Sequence, residues 1–221
     1  MEGLPSTTDR DYLAEAGRTL HLIQVHGLNW STETSGKLDW WDEDPLAVHA
    51  RVYSSPETEA LHNTDRSSLV DAMQIISEGE QTVGPWLYTH CDHKPENSLR
   101  VENCPAIIDW DECGHCHPRL ETVKAALRWS GTEDPNREAF VAFLDGYSKS
   151  GGTIAGLVEQ DFAKWVAAIV GWFAFQARRA LGDWPEDTPD ERKAALDMSI
   201  NAYASLQPTL SRISTWTSWY P

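Results

Sequence analysis

Basic residues are scarce in this chain: 18 Lys and Arg stand against 34 Asp and Glu, a formal net charge of −16. Charge of that sign repels a phosphate backbone, so a nucleic-acid partner is not expected. Cysteine is scarce as well, with four in 221 residues, which favours reduced thiols over a disulfide framework. No apolar run approaches the roughly 20 residues that a membrane-spanning helix needs. The most apolar stretch, 162–180, carries Lys164, Gln176, Arg178 and Arg179 and reads as a core helix. Residues 1–19 are polar and acidic without an apolar export core, so no membrane partner and a cytoplasmic location are expected. Internal repeats and low-complexity linkers are absent. Three phosphate-gripping devices are absent too: there is no G-x-G-x-x-G, no Walker-type loop and no V-A-I-K-like strand.

What is present is enough apolar and aromatic material to fold. Hydrophobic residues make up 41 % of the chain and include eleven Trp, which argues for a globule of one domain spanning 1–221. Apolar residues recur at helical spacing through 11–26, ending at Gly27. Residues 29–46 read as a Trp- and Asp-rich loop in which Trp30, Trp40 and Trp41 are core or cleft aromatics, and a short helix covers 45–53. Asp65 is placed to cap a helix running to about Glu78. Strands are expected over 86–89, 98–101 and 106–109, forming one small sheet. Helices follow over 120–129, 136–149, 158–181 and 190–206, and Pro208 starts a last one; Gly151-Gly152 reads as a turn. Trp172 is expected to face inward within 158–181. The fold class expected is mainly α with a small β element, α+β.

The most informative stretch is 89–111. His90, Asp92 and Asn97 form H-x-D-x-x-x-x-N, and Asp109 closes the apolar run Pro105-Ala106-Ile107-Ile108. The spacing has a chemical logic. A loop carboxylate can accept a hydroxyl proton, while an amide oxygen and a second carboxylate hold magnesium on a nucleotide's phosphates. Singly, such residues are more often turn or cap residues. Order, spacing, Pro95 and the apolar run together favour phosphoryl transfer.

The segment resembles the aminoglycoside phosphotransferase family, whose loop runs H-x-D-x-x-P-x-N and whose metal-binding strand often ends I-D-W-D. That resemblance implies Asp92 as catalytic base and Asn97 and Asp109 as magnesium ligands. It implies His90 at the cofactor end as the brace of the loop, and Asp111 as the second acid of I-D-W-D and a further metal candidate. It continues through 125–130, 142–147 and 178–182 and covers about 10–215, with 89–111 as the catalytic loop and 117–221 as the helical subdomain of a C-terminal lobe. His93 and Cys91 depart from it, since the family usually has Leu and Arg or Gly there. The family's N-terminal lobe, about ninety residues with a phosphate-covering loop and a lysine, is the larger departure, because here the loop begins at residue 90.

The implied activity is an ATP- and magnesium-dependent small-molecule kinase, acting on a hydroxyl of a cationic acceptor such as an aminoglycoside antibiotic. Asp42, Glu43, Asp44, Glu112, Glu159 and Asp161 are acids available to such an acceptor. Without the lobe, weak ATP binding is expected, with a dissociation constant on the order of a millimolar or worse, and exposed apolar surface around Trp86, Leu87 and Ile107 favours a homodimer or cover by the chain's own N-terminal residues. The alternative is a truncated binding or regulatory module. A lesser alternative is a zinc site drawn from Cys91, His93, Cys113, His115, Cys116 and His117, since thiolates and imidazoles suit zinc. Cys113-x-x-Cys116 also has the spacing of a redox pair, although helices follow it where a redox fold would return to a strand.

Overall fold

The computed structural model describes residues 9–30, 41, 43–61, 66–82 and 84–221. Asp42, Asp65 and Trp40, with most of the loop expected over 29–46, lie outside the described residues. Two compact units divide the chain: 1–36, 79–162 and 214–221 form one, and 37–78 with 163–213 form the other.

The first unit opens with α1 (Arg10–Gly27), capped by Asp9, whose carboxylate accepts the Tyr12 amide. Its apolar positions Leu13, Ala16 and Leu20 are fully buried at helical spacing. They meet α5 (Arg137–Lys149), capped by Asn136. The two helices cross with almost no side chain between them. A Cβ on Gly17 would collide with the Phe143 carbonyl, and one on Gly146 with the Ala14 carbonyl. Only glycine allows that approach. α4 (Pro118–Ser130), begun by a proline at its first turn, adds Leu120, Val123, Leu127 and Trp129 to the same core.

Two ribbons replace the single sheet expected from the sequence. β1 (Leu87–Thr89) pairs antiparallel with β4 (Gly114–Cys116), Leu87 opposite Cys116 and Thr89 opposite Gly114. β2 (Ser98–Val101) pairs with β3 (Cys104–Ile107) as a separate hairpin. β4 is three residues long and carries no β-branched or large apolar residue, so nothing in its composition marked it. β3 starts and ends two residues earlier than the expected 106–109. Trp86 and Leu87 are buried, Ile107 is half-buried, and α1 packs against β1 and β3.

The second unit is helical: α2 (Pro45–Ser54), α3 (Arg66–Glu80), α6 (Ala163–Ala180) and most of α7 (Pro189–Thr217). α2 packs against α6, with Val48 and Val52 of the one and Val166, Val170 and Phe173 of the other buried. Arg51 ties this unit electrostatically, meeting Glu43 at 2.6 Å and Asp183 at 2.5 Å, with Arg178 also on Asp183 at 3.0 Å. Three expectations need correction here. The helix expected over 158–181 begins with a separate 3₁₀ turn, Glu159–Phe162. Trp172 is 43 % exposed, not inward. Pro208 does not start a helix but lies inside α7. Proline removes one backbone donor there, while buried Leu206, Thr209, Ile213 and Trp216 hold the turns on both sides of it. Among the described residues, no helix is long and apolar enough to cross a membrane.

Candidate active site

Four segments of the first unit converge at the loop after β1. Cys91 adopts a left-handed backbone, φ 61°, a conformation that a non-glycine residue holds only when its surroundings impose it. α4 does so from both sides of the residue. Glu121, 1 % exposed, accepts the Cys91 amide at 2.7 Å, and Lys124, one turn on, donates its ammonium to the Cys91 carbonyl at 3.0 Å. Glu121 is itself fixed by Gln24 of α1 at 3.2 Å, and Gln24 accepts the Tyr147 hydroxyl at 2.7 Å. A buried polar chain from α1, α4 and α5 thus sets the backbone immediately before Asp92.

Asp92 is the centre of the charges. Its Oδ2 accepts the Asn97 side-chain amide at 3.0 Å and meets Lys94 Nζ at 2.5 Å, while Oδ1 faces Lys124 Nζ at 3.5 Å. Burial works to raise its pKa, but Lys124, Lys94 and Arg128 outweigh that and hold the carboxyl below the usual aspartate value. Asp92 is therefore ionised at neutral pH.

His90 is fully buried. Its Nδ1 accepts the Asp92 amide at 3.3 Å, so the tautomer with hydrogen on Nε2 donates to the Ile108 carbonyl at 3.0 Å. His93 is buried under Trp129, whose indole N–H donates to Nδ1 at 2.9 Å. Burial, with His90 beside it, pushes the His93 pKa down to about 3, so this ring is neutral.

Asn97 is buried and its backbone carbonyl accepts the Ile108 amide at 2.9 Å, which ties the loop to the residue before Asp109. Asp109 lies just beyond β3 with φ 62° and is exposed. Asp111 is exposed in the following turn. The structure thus gathers His90, Asp92 and Asn97, brings Asp109 alongside through the backbone, and leaves Asp111 at the surface. Among the described residues, no three His, Cys, Asp or Glu side chains cluster closely enough to hold an ion. The six Cys and His residues considered for zinc accordingly do not form a set. His93 packs on Trp129 and His117 on Trp86, while His115 is exposed opposite Tyr88. A magnesium pair from Asn97 and Asp109 fits the donor chemistry, because magnesium takes hard oxygens and needs only one or two from the protein. With the Asn97 amide nitrogen committed to Asp92, its oxygen is the donor left for an ion.

Sequence reasoning missed Lys94, Lys124 and Glu121. Lys94 stood two residues from Asp92 and could have been found. Lys124 and Glu121 are about thirty residues away, and only their one-turn spacing on α4 hinted that they act together. Three of the acids set aside for an acceptor are structural. Glu43 pairs with Arg51 and Asp44 caps α2. Asp161, buried, holds Arg119 at 2.7 Å and accepts the Val158 amide. Glu112 and Glu159 are exposed.

The family model described as phosphotransferase enzyme family matches residues 5–157. Among solved structures the chain is similar to a choline/ethanolamine kinase family protein from Mesorhizobium loti, 17 % identical with a TM-score of 0.54 over 93 % of this chain and 65 % of that one. It is similar to an aminoglycoside phosphotransferase from Alicyclobacillus acidocaldarius, 12 % identical with a TM-score of 0.54 over 97 % and 69 %. A third likeness is to a Plasmodium vivax ethanolamine kinase, 13 % identical with a TM-score of 0.53 over 89 % and 59 %. At such identities the likeness shows the fold, and the mainly helical kinase-like architecture expected from the sequence holds. The chain spans less than two thirds of the first and third of these proteins. No curated protein matches it.

Proposed function

The chain belongs to the phosphotransferase enzyme family, and from that premise we propose that it transfers the terminal phosphoryl group of ATP to a hydroxyl of a small cationic molecule. The observation that carries the reading is the Asp92 carboxylate, held ionised by Lys94 and Lys124 on a loop whose next polar anchor is Asn97. A carboxylate with a lowered pKa is a weak base. Its first task is to orient the acceptor hydroxyl by accepting its hydrogen bond, and it takes the proton late, as the oxygen bonds to phosphorus and the bond to the ADP oxygen breaks.

Asn97 and Asp109 are the residues to hold magnesium, with Asp111 at the rim. Bound there, the ion would neutralise charge on the phosphates. Lys94 and Lys124 neutralise Asp92 in the free protein, beside the carboxylate that an acceptor hydroxyl would engage. The acceptor class is inferred from the charge of −16 and from the printed names of the structural neighbours, whose acceptors are amino alcohols or aminoglycosides.

The test is transfer of labelled terminal phosphate from ATP to a panel of choline, ethanolamine, aminoglycosides and uncharged sugars, with and without magnesium. Magnesium-dependent labelling of an amine-bearing acceptor is the expected result. Labelling of no hydroxyl compound across the panel, by folded protein, would count against the proposal.

A further inference from the structure

Two thiols that the proposed chemistry leaves unused lie on either side of the gap between the Asp92 loop and β4. All four cysteines are among the described residues and none is bridged. Cys91 directly precedes Asp92. Its left-handed backbone takes it out of the β1 alternation and folds its sulfur onto β4, where Sγ lies 3.5 Å from the Gly114 carbonyl oxygen. A Cβ on Gly114 would stand 4.0 Å from the same sulfur. Cys113 is the residue bonded to Gly114, and its own sulfur is 2.9 Å from the Tyr88 hydroxyl. With Thr89 opposite Gly114, the loop carrying Cys91 leaves β1 where Cys113 leads into β4. Both thiols are half-exposed and open to a small oxidant. Cys116, the other half of the C-x-x-C spacing, is fully buried on β4, and Cys104 sits on the separate β2–β3 ribbon. The Cys91 sulfur thus lies against the residue bonded to Cys113.

We propose that Cys91 and Cys113 are a disulfide-forming pair that switches the Asp92 loop. The chemistry needs a peroxide as oxidant. One thiol attacks the peroxide oxygen, giving a sulfenic acid and releasing water or an alcohol. The second thiol then displaces the sulfenic hydroxyl as water and forms the S–S bond, so two electrons pass in total to the peroxide. Tyr88 and Cys113 share a hydrogen bond in which either atom can be the donor. Closure draws the Cys91 side chain towards Cys113 against the anchors that Glu121 and Lys124 give its backbone. Asp92, the next residue, moves with it. A displacement of about 1 Å at a reacting group lowers turnover by roughly a hundredfold.

The test uses the full chain treated with hydrogen peroxide, digested without reductant and mapped by mass spectrometry. A peptide pair linked through Cys91 and Cys113, released by dithiothreitol, absent in Cys113→Ser and retained in Cys104→Ser, is expected. Oxidation that instead links Cys113 to Cys116, or that stops at isolated sulfinic acids, overturns the pairing. The effect on turnover rests on the phosphotransferase reading, whereas the peptide map does not, so the two can fail separately. On the acceptor found by the panel, peroxide should lower transfer about a hundredfold, reversibly with dithiothreitol, and Cys113→Ser should keep its rate. A mapped disulfide with unchanged transfer would overturn the switch.

Discussion

At the scale of residues, one carboxylate is kept charged beside one imidazole kept neutral. Asp92 has lysines on both oxygens, and His93 has an indole and the core around it. The second fact has a consequence for acid stability. The unfolded chain protonates His93 below its ordinary value of 6.5, while the folded chain refuses the proton until about 3. In that window the unfolded state binds more protons, so stability falls as pH drops from about 6.5 towards 3 and is fully present above 6.5. Buried His49 acts in the same direction, desolvation being its main cause with Arg66 adding to it. His93→Gln keeps an acceptor for Trp129 and removes the titration. Its urea midpoint should therefore fall less between pH 7 and pH 5 than that of the wild type, and equal falls would show that His93 does not carry the effect.

The residues of the site were legible where their spacing is local. His90, Asp92 and Asn97 occupy eight consecutive positions, and the loop they define is the loop that forms. Glu121, Gln24 and Tyr147 were not legible, because each reaches its partner across the fold and a lone acid, amide or phenol has no pattern to betray it. Three of the acids set aside for an acceptor were misread for the converse reason. Asp44 and Asp161 look like surface carboxylates in sequence, yet one caps a helix and the other is buried on an arginine.

At the scale of elements, helices were easier to read than strands. α1, α2 and α5 carry a 3.6-residue apolar period with side-chain caps, α4 starts on a proline, and all four form within a residue or two of their expected bounds. β4 has three residues and takes its place only because β1 pairs with it. The crossing of α1 and α5 was invisible as well, since a single glycine in a helix signals only lower propensity until its neighbour is known. That crossing makes a clear prediction. Gly146→Ala puts a methyl group into the Ala14 carbonyl, and forcing the helices apart should cost about 1–3 kcal/mol as overpacking does elsewhere. In a chain of this length that corresponds to a melting point lower by roughly 2–4 °C for each kcal/mol. An unchanged or raised melting point would mean that the helices yield freely at this contact.

At the scale of the whole molecule, the proposed function makes the charge of −16 a factor in encounter with a cationic acceptor. Charges on the surface are felt over about 10 Å at 0.1 M salt and over about 3 Å at 1 M. With an acceptor carrying several amines, kcat/KM should therefore fall as salt is raised from low ionic strength, while that for an uncharged acceptor stays level. Equal salt dependence for both would separate the acidic surface from acceptor choice.

The central claim is that Asp92 is the carboxylate across which phosphate passes to a hydroxyl. Transfer by Asp92→Asn, compared with wild type on one acceptor at saturating magnesium and ATP, addresses it most directly. Asparagine preserves size and can keep the contact with Asn97, so the variant should show the wild-type denaturation midpoint and a kcat about 10²–10⁴-fold lower. A folded Asp92→Asn protein that transfers phosphate at close to the wild-type rate would contradict the account.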